Sequence, residues 1–151
     1  MNPNQAIEIL LVEDNPDDLD LTLRALSKAR LSNSIHVARD GEQALDFIYR
    51  RNEYAAGGGP ANPKVILLDL KLPKIDGLEV LRTLKGDAAT RTIPVVVLTS
   101  SKEQRDIVES YNLGVNSYIV KPVTFEALVD ILQTLEKYWF EIVELPPQHD
   151  K

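Results

Sequence analysis

Cysteine is absent from the 151 residues, which excludes disulfides, thiolate metal sites and cysteine nucleophiles. No Lys or Arg occurs among the first fourteen residues, so there is no n-region of a signal peptide. No apolar run approaches the roughly 20 residues of a membrane span. The expected location is therefore the cytoplasm, with no membrane segment. Basic residues are in the minority: 17 Lys and Arg stand against 23 Asp and Glu, giving a net charge of −6. That balance argues against non-specific binding to nucleic acid or to an anionic membrane, and for solubility. What is present is an ordinary globular mixture, 44% hydrophobic and 26% charged. It suffices for one domain with a sizeable core.

Four apolar runs each stop on a polar residue able to do chemistry. Ile9–Val12 stops at Glu13-Asp14, Val65–Leu68 at Asp69, Val95–Leu98 at Thr99-Ser100, and Tyr118–Val120 at Lys121-Pro122. Short, β-branched runs without alternation read as strands buried on both faces, as in a parallel sheet. In such a sheet ligands bind just beyond the carboxyl ends of the strands. Three carboxylates, two hydroxyls and one ammonium are thus expected to meet at one edge. That set suits a divalent cation and a phosphoryl group.

Between the strands the pattern turns helical. Asn15 is a good N-cap, with Pro16 at the first helical position and Asp17 and Asp18 in the first turn. Leu19, Leu23 and Leu26 carry that helix to near Arg30. Ile35 to Ala38 reads as a second strand, and Gly41 opens a helix with Ala44, Leu45 and Ile48 as its stripe. Residues 52–63, with a triple glycine and two prolines, read as a flexible loop; a dinucleotide loop needs the reverse order, strand then helix. Strand 3 is expected over 64–69, followed by helix 3 with Leu78, Leu81 and Leu84. Pro94 introduces strand 4. Ser100 with Glu103, or Ser101 with Gln104, suits a capping box for helix 4, and Gly114 a C-terminal cap. Strand 5 is expected over 116–120. Thr124 caps a last helix bearing Phe125, Leu128, Ile131, Leu132, Leu135, Tyr138 and Trp139. Five strands alternating with five helices predict a doubly wound α/β sandwich with right-handed crossovers.

These pieces resemble the receiver domain of two-component response regulators over residues 7–138. The matching segments are Leu11–Asn15, Leu68–Gly77, Leu98–Ser100 and Lys121-Pro122, in that order, each at a predicted strand end. The resemblance implies a flavodoxin-like (βα)5 fold with a parallel sheet of order 2-1-3-4-5, which sets strands 1, 3, 4 and 5 side by side. It makes residues 1–151 a single receiver domain with a core at 7–138 and an extension at 139–151. Within that family the chain looks most like the small single-domain regulators paired with phytochrome-type histidine kinases. The grounds are the long loop at 52–63, the Leu72-Pro73-Lys74 after Asp69, and the aromatic tail.

The resemblance also implies roles. Asp69 matches the phospho-accepting aspartate. Glu13 and Asp14 match the acidic pair that, with Asp69 and the backbone carbonyl of Lys71, holds Mg2+ or another divalent cation such as Mn2+. Such a cation removes the repulsion between a carboxylate and an anionic phosphoryl group. Without it, three close carboxylates repel and at least one resists ionising. Lys121 matches the lysine that pairs with the acceptor and then with the phosphoryl oxygens, ahead of a cis peptide bond to Pro122. Thr99 matches the hydroxyl that bonds the phosphoryl group, joined by Ser100, and Tyr118 occupies the aromatic switch position. The implied response reshapes the surface of helix 4, strand 5 and helix 5. Lys71 stands where many relatives carry a neutral amide, which predicts slow self-dephosphorylation.

Plainer readings exist for single residues. Asp14 or Asn15 alone caps a helix, Thr99 or Ser100 alone caps helix 4, and Tyr118 alone is a half-buried strand residue. His36 reads as structural and His149 lies in a tail, so the phosphoryl group is expected from a partner sensor histidine kinase. The reading is a signalling switch rather than a turnover enzyme. Two others compete: a phosphorylation-independent adaptor, and an aspartyl-phosphate phosphatase, which needs an Asp where Lys71 stands. No DNA-binding motif follows the domain. The apolar tail, Tyr138, Trp139, Phe140, Ile142, Val143 and Leu145, wants a partner surface, and a homodimer through helix 4, strand 5, helix 5 and the tail is expected.

Overall fold

A parallel sheet needs every strand to be covered on both sides, and two apolar rows per strand meet that need here. The computed structural model describes residues 8–31, 34–57 and 63–137. The elements run β1 Glu8–Val12, α1 Pro16–Lys28, β2 Ser34–Ala38, α2 Gly41–Tyr49, a 3-10 turn Asn52–Gly57, β3 Val65–Leu68, α3 Gly77–Lys85, β4 Val95–Thr99, α4 Gln104–Leu113, β5 Ser117–Val120 and α5 Phe125–Lys137. All strand pairs are parallel and the order is β2-β1-β3-β4-β5. This is the flavodoxin-like arrangement that the resemblance implied.

Successive strand residues point to opposite faces. Leu10, Val12, Ile66, Leu68, Val95 and Val97 join Ala44, Leu45, Ile48, Val80, Leu81 and Leu84 of α2 and α3 in one buried cluster. Ile9, Leu11, Val65, Leu67, Val96 and Leu98 join Ala25 and Leu26 of α1 and Leu128, Val129 and Leu132 of α5 in another. Truncating any of the fully buried leucines to Ala costs about 2–5 kcal/mol. The sheet is therefore a rigid platform, and its carboxyl edge is fixed by this packing.

The ends of the elements follow local chemistry. Asn15 Oδ1 accepts from the Asp18 N–H at 2.9 Å and Pro16 begins α1. Asp40 and Asp76 cap α2 and α3 in the same way. Thr124 Oγ1 accepts from the Ala127 N–H at 3.1 Å, as expected for α5. Gly114 ends α4 at φ 101°, a left-handed conformation that a side chain disfavours.

Two expectations are corrected. No capping box opens α4. The N-cap is Glu103, whose side chain makes no capping hydrogen bond, and the Ser101 hydroxyl donates to Asp106 Oδ2 at 2.7 Å. The charge-assisted bond to Asp106 fixes the rotamer of Ser101, and its oxygen then accepts only a long 3.4 Å contact from the Glu103 N–H, short of the N3 position that a capping box needs. The stretch at 52–63 is not wholly irregular either. Residues 52–57 form a 3-10 turn held by Tyr54, which packs edge-on against His36 and Phe47. His36 stacks on Phe47 at 4.0 Å, with Nε2 3.3 Å from the Tyr54 hydroxyl. That is the structural role expected of it. Residues 58–62, and the tail from Tyr138 onward, lie outside the described residues.

Candidate functional site

The register of the sheet sets the site. Val12 pairs with Leu68, Leu68 with Val97, and Thr99 with Val120. The residues that follow these pairs therefore emerge at one level. Ladder bonding continues one step past the strands: the N–H of Asp69 donates to the Val12 carbonyl at 3.1 Å and that of Lys121 to the Thr99 carbonyl at 2.8 Å. Asp69 and Lys121 are thereby anchored at the backbone. Gly77 tightens the arrangement from the other side. A Cβ there would overlap the Asp69 carbonyl and Leu70 Cα, so only glycine lets α3 start this close to Asp69.

The structure brings Glu13, Asp14 and Asp69 together. Each offers a carboxylate oxygen, and these oxygens lie within 4.8 Å of one another. Glu13 and Asp69 are buried and Asp14 is half-buried. Lys121 reaches into the same cluster, its Nζ 3.1 Å from Glu13 Oε1, 3.2 Å from Asp69 Oδ2 and 2.7 Å from Asp18 Oδ2. The other Asp69 oxygen accepts the backbone N–H of Lys71 at 3.0 Å. The Lys71 side chain itself is exposed. The Lys121–Pro122 peptide is cis.

Charge is unbalanced here. Burial and the neighbouring charge of Asp69 push the Glu13 carboxyl up to about 7, against the partial relief given by Lys121. Burial works against the Lys121 ammonium, but the hydrogen bond to Asp18 and the charges of Asp69 and Glu13 outweigh it and hold its pKa above the ordinary lysine value. A site that strains to keep its carboxylates ionised is one that a hard dication relieves. The donor set of carboxylate oxygens at this spacing fits Mg2+ or Mn2+.

The hydroxyl side is built around Ser101. Thr99 is fully buried, and its Oγ1 accepts the Ser101 N–H at 3.3 Å. Tyr118 is half-buried and its hydroxyl donates to the Ser101 carbonyl at 3.1 Å. Ser100 is exposed beside them. Two participants were not singled out from sequence. In the sequence Asp18 reads only as a first-turn acid suited to the helix dipole. Asp106 likewise sits in the first turn of α4, and no local signal in the sequence marks it as turned inward.

Residues 9–133 match the family described as the response regulator receiver domain. The probable methanogenesis regulatory protein FilR2 of Methanothrix harundinacea is 44% identical over 131 residues, 87% of this chain and 82% of that protein. The bacteriophytochrome response regulator AtBRR is 55% identical, with a TM-score of 0.72 over 86% of this chain and 92% of that one. The Mn(2+)-bound form of response regulator Rcp1, a protein of Synechocystis sp., is 39% identical, with a TM-score of 0.79 over 93% and 99%.

Proposed function

The chain belongs to the response regulator receiver family, and we propose that it accepts a phosphoryl group on Asp69 from a sensor histidine kinase, with Mg2+ or Mn2+ bound by Glu13, Asp14, Asp69 and the Lys71 carbonyl. The observation that carries this reading is the meeting of the three carboxylates within 4.8 Å with the Lys121 ammonium 3.2 Å from Asp69. The bound cation supplies charge neutralisation between the carboxylate and the incoming phosphoryl oxygens. An Asp69 oxygen attacks the phosphorus of a phosphoimidazole; the P–O bond forms as the P–N bond breaks, and the imidazole nitrogen leaves with the electron pair. Lys121 then shares its N–H groups with the phosphoryl oxygens.

The response is read out through Ser101. Its backbone contacts both Thr99 and Tyr118. A Thr99 hydroxyl drawn to the phosphoryl group, with Ser100 at the rim, releases that loop and lets Tyr118 turn inward. The face of α4, β5 and α5 changes with it, and only a few kcal/mol of bias between two states is needed. Val108 and Tyr111, the exposed large hydrophobics among the described residues, lie on α4. They support a homodimer through this face and the tail.

No helix among the described residues is long and apolar enough to cross a membrane. That and the net charge of −6 support a cytoplasmic signalling protein that does not bind DNA. The likeness to the bacteriophytochrome response regulator AtBRR supports a phytochrome-type kinase as the donor. The test is transfer of labelled phosphate from an autophosphorylated bacteriophytochrome kinase, and from acetyl phosphate, in Mg2+. Label that appears in the wild type and not in Asp69→Asn, and that EDTA abolishes, is the expected result. Label that persists in Asp69→Asn refutes the assignment.

A further inference from the structure

We propose that Asp18 is the positioning residue that keeps the Lys121 ammonium aimed at Asp69 throughout the phosphorylation cycle. The inference rests on the phospho-acceptor reading of Asp69. An ammonium has three N–H donors, and in this structure all three have carboxylate partners: Asp18 at 2.7 Å, Glu13 at 3.1 Å and Asp69 at 3.2 Å. Asp18 is the nearest.

The three partners do not share one fate. Glu13 and Asp69 belong to the group able to hold a cation, so their charge is shared with a dication when one binds. Once Asp69 is esterified, its negative charge passes to the phosphoryl oxygens, so the position Lys121 must bond moves outward from the carboxylate. Asp18 stands outside that group. Of the three partners it alone neither joins that group nor is esterified, so its position relative to Lys121 is the same at every stage.

Asp18 is also built to stay in place. It is the third residue of α1, its N–H is held by Asn15 Oδ1, and the first turn of a helix favours a carboxylate. Its side chain is 38% exposed, against 10% for Lys121, so it meets the ammonium from the more exposed side of the cluster. The simpler alternative is a surface ion pair with no bearing on chemistry, worth at most about 1 kcal/mol.

A double-mutant cycle separates the two. In metal-free protein the Lys121 ammonium is expected to give a nitrogen–proton NMR signal that Asp18→Asn removes. With acetyl phosphate and saturating Mg2+, Asp18→Asn is expected to slow labelling of Asp69 by about tenfold. The same change made in a Lys121→Gln background is expected to slow it by less than about twofold, because the group Asp18 acts through is gone. A Lys121 signal unaffected by Asp18→Asn, an effect below about twofold in the wild-type background, or an equal slowing in both backgrounds overturns the proposal. A wild-type chain that takes up no label is a different failure, that of the phospho-acceptor reading itself.

Discussion

Replacing Glu13 by Gln is expected to stabilise the metal-free protein while disabling it. The carboxyl at 13 has an ordinary value of 4.5 when the chain is unfolded and about 7 when folded. Its folded value is raised, so the folded state holds the proton more tightly than the unfolded one. The sign follows: the stability this group contributes is fully present below about pH 4.5, is lost as pH rises to about 7, and stays lost above. At 1.36 kcal/mol for each tenfold change in proton affinity, the loss by about pH 8 is slightly over 3 kcal/mol. Gln removes the titration while keeping the shape. Lys121 retains Asp18 and Asp69, so no ammonium is orphaned by the change. The expected outcome in EDTA is a gain of about 1–3 kcal/mol at about pH 8 that fades toward pH 4.5. Urea unfolding followed by far-UV circular dichroism reads it. Saturating Mg2+ should reverse the ranking, since a ligand stabilises whichever form binds it. A gain of the same size at both pH values, or a Glu13→Gln protein less stable than wild type in EDTA at about pH 8, refutes the account of why Glu13 resists ionising.

Other outcomes follow from single contacts. Lys71→Asn is expected to shorten the life of phospho-Asp69, because the exposed cation beside the acceptor no longer obstructs the hydrolytic water; an unchanged half-life in a label-decay assay sinks this. Ser101→Ala leaves the Asp106 carboxylate without the hydroxyl 2.7 Å away and should cost about 1–3 kcal/mol in chemical denaturation, with a loss below about 0.5 kcal/mol counting against a stabilising role for that bond. A chain ending at Lys137 should sediment as a monomer if the tail completes the dimer; an unchanged oligomeric state counts against the dimer.

The fold was legible because its signals are local and redundant. Val65–Leu68 and Val95–Thr99, buried at every position, could only be central strands. The caps at Asn15 and Thr124 announced their helices. Strand ends were legible for the same reason, and with them the candidate positions Glu13, Asp14, Asp69, Thr99 and Lys121. What escaped were contacts decided by three-dimensional competition. Ser101 had two uses open to it, a helix N-terminus or a buried carboxylate. Nothing within a few residues of it says that Asp106 is turned inward. Tyr54 lies in a glycine-rich stretch whose composition says loop, yet its ring finds His36, 18 residues away in sequence, and a 3-10 turn forms.

Asp18 is the most instructive of these omissions. A first-turn acid already has a sufficient local explanation in the helix dipole, so sequence offers no reason to seek another. Only the register of β5 against β4 sets Lys121 opposite it, across 103 residues of chain. The consequence is electrostatic. With Asp18 counted, three carboxylates share one ammonium, and Glu13, the most buried of them, carries the penalty of burial and of the Asp69 charge. Lys121 cannot relieve Glu13 fully while its shortest bond goes to Asp18. On the proposed reading, the arrangement gives up stability of the metal-free cluster for affinity toward a dication and holds the ammonium beside Asp69. A second lysine in the cluster would remove the cost and, with it, the reason for a cation to bind.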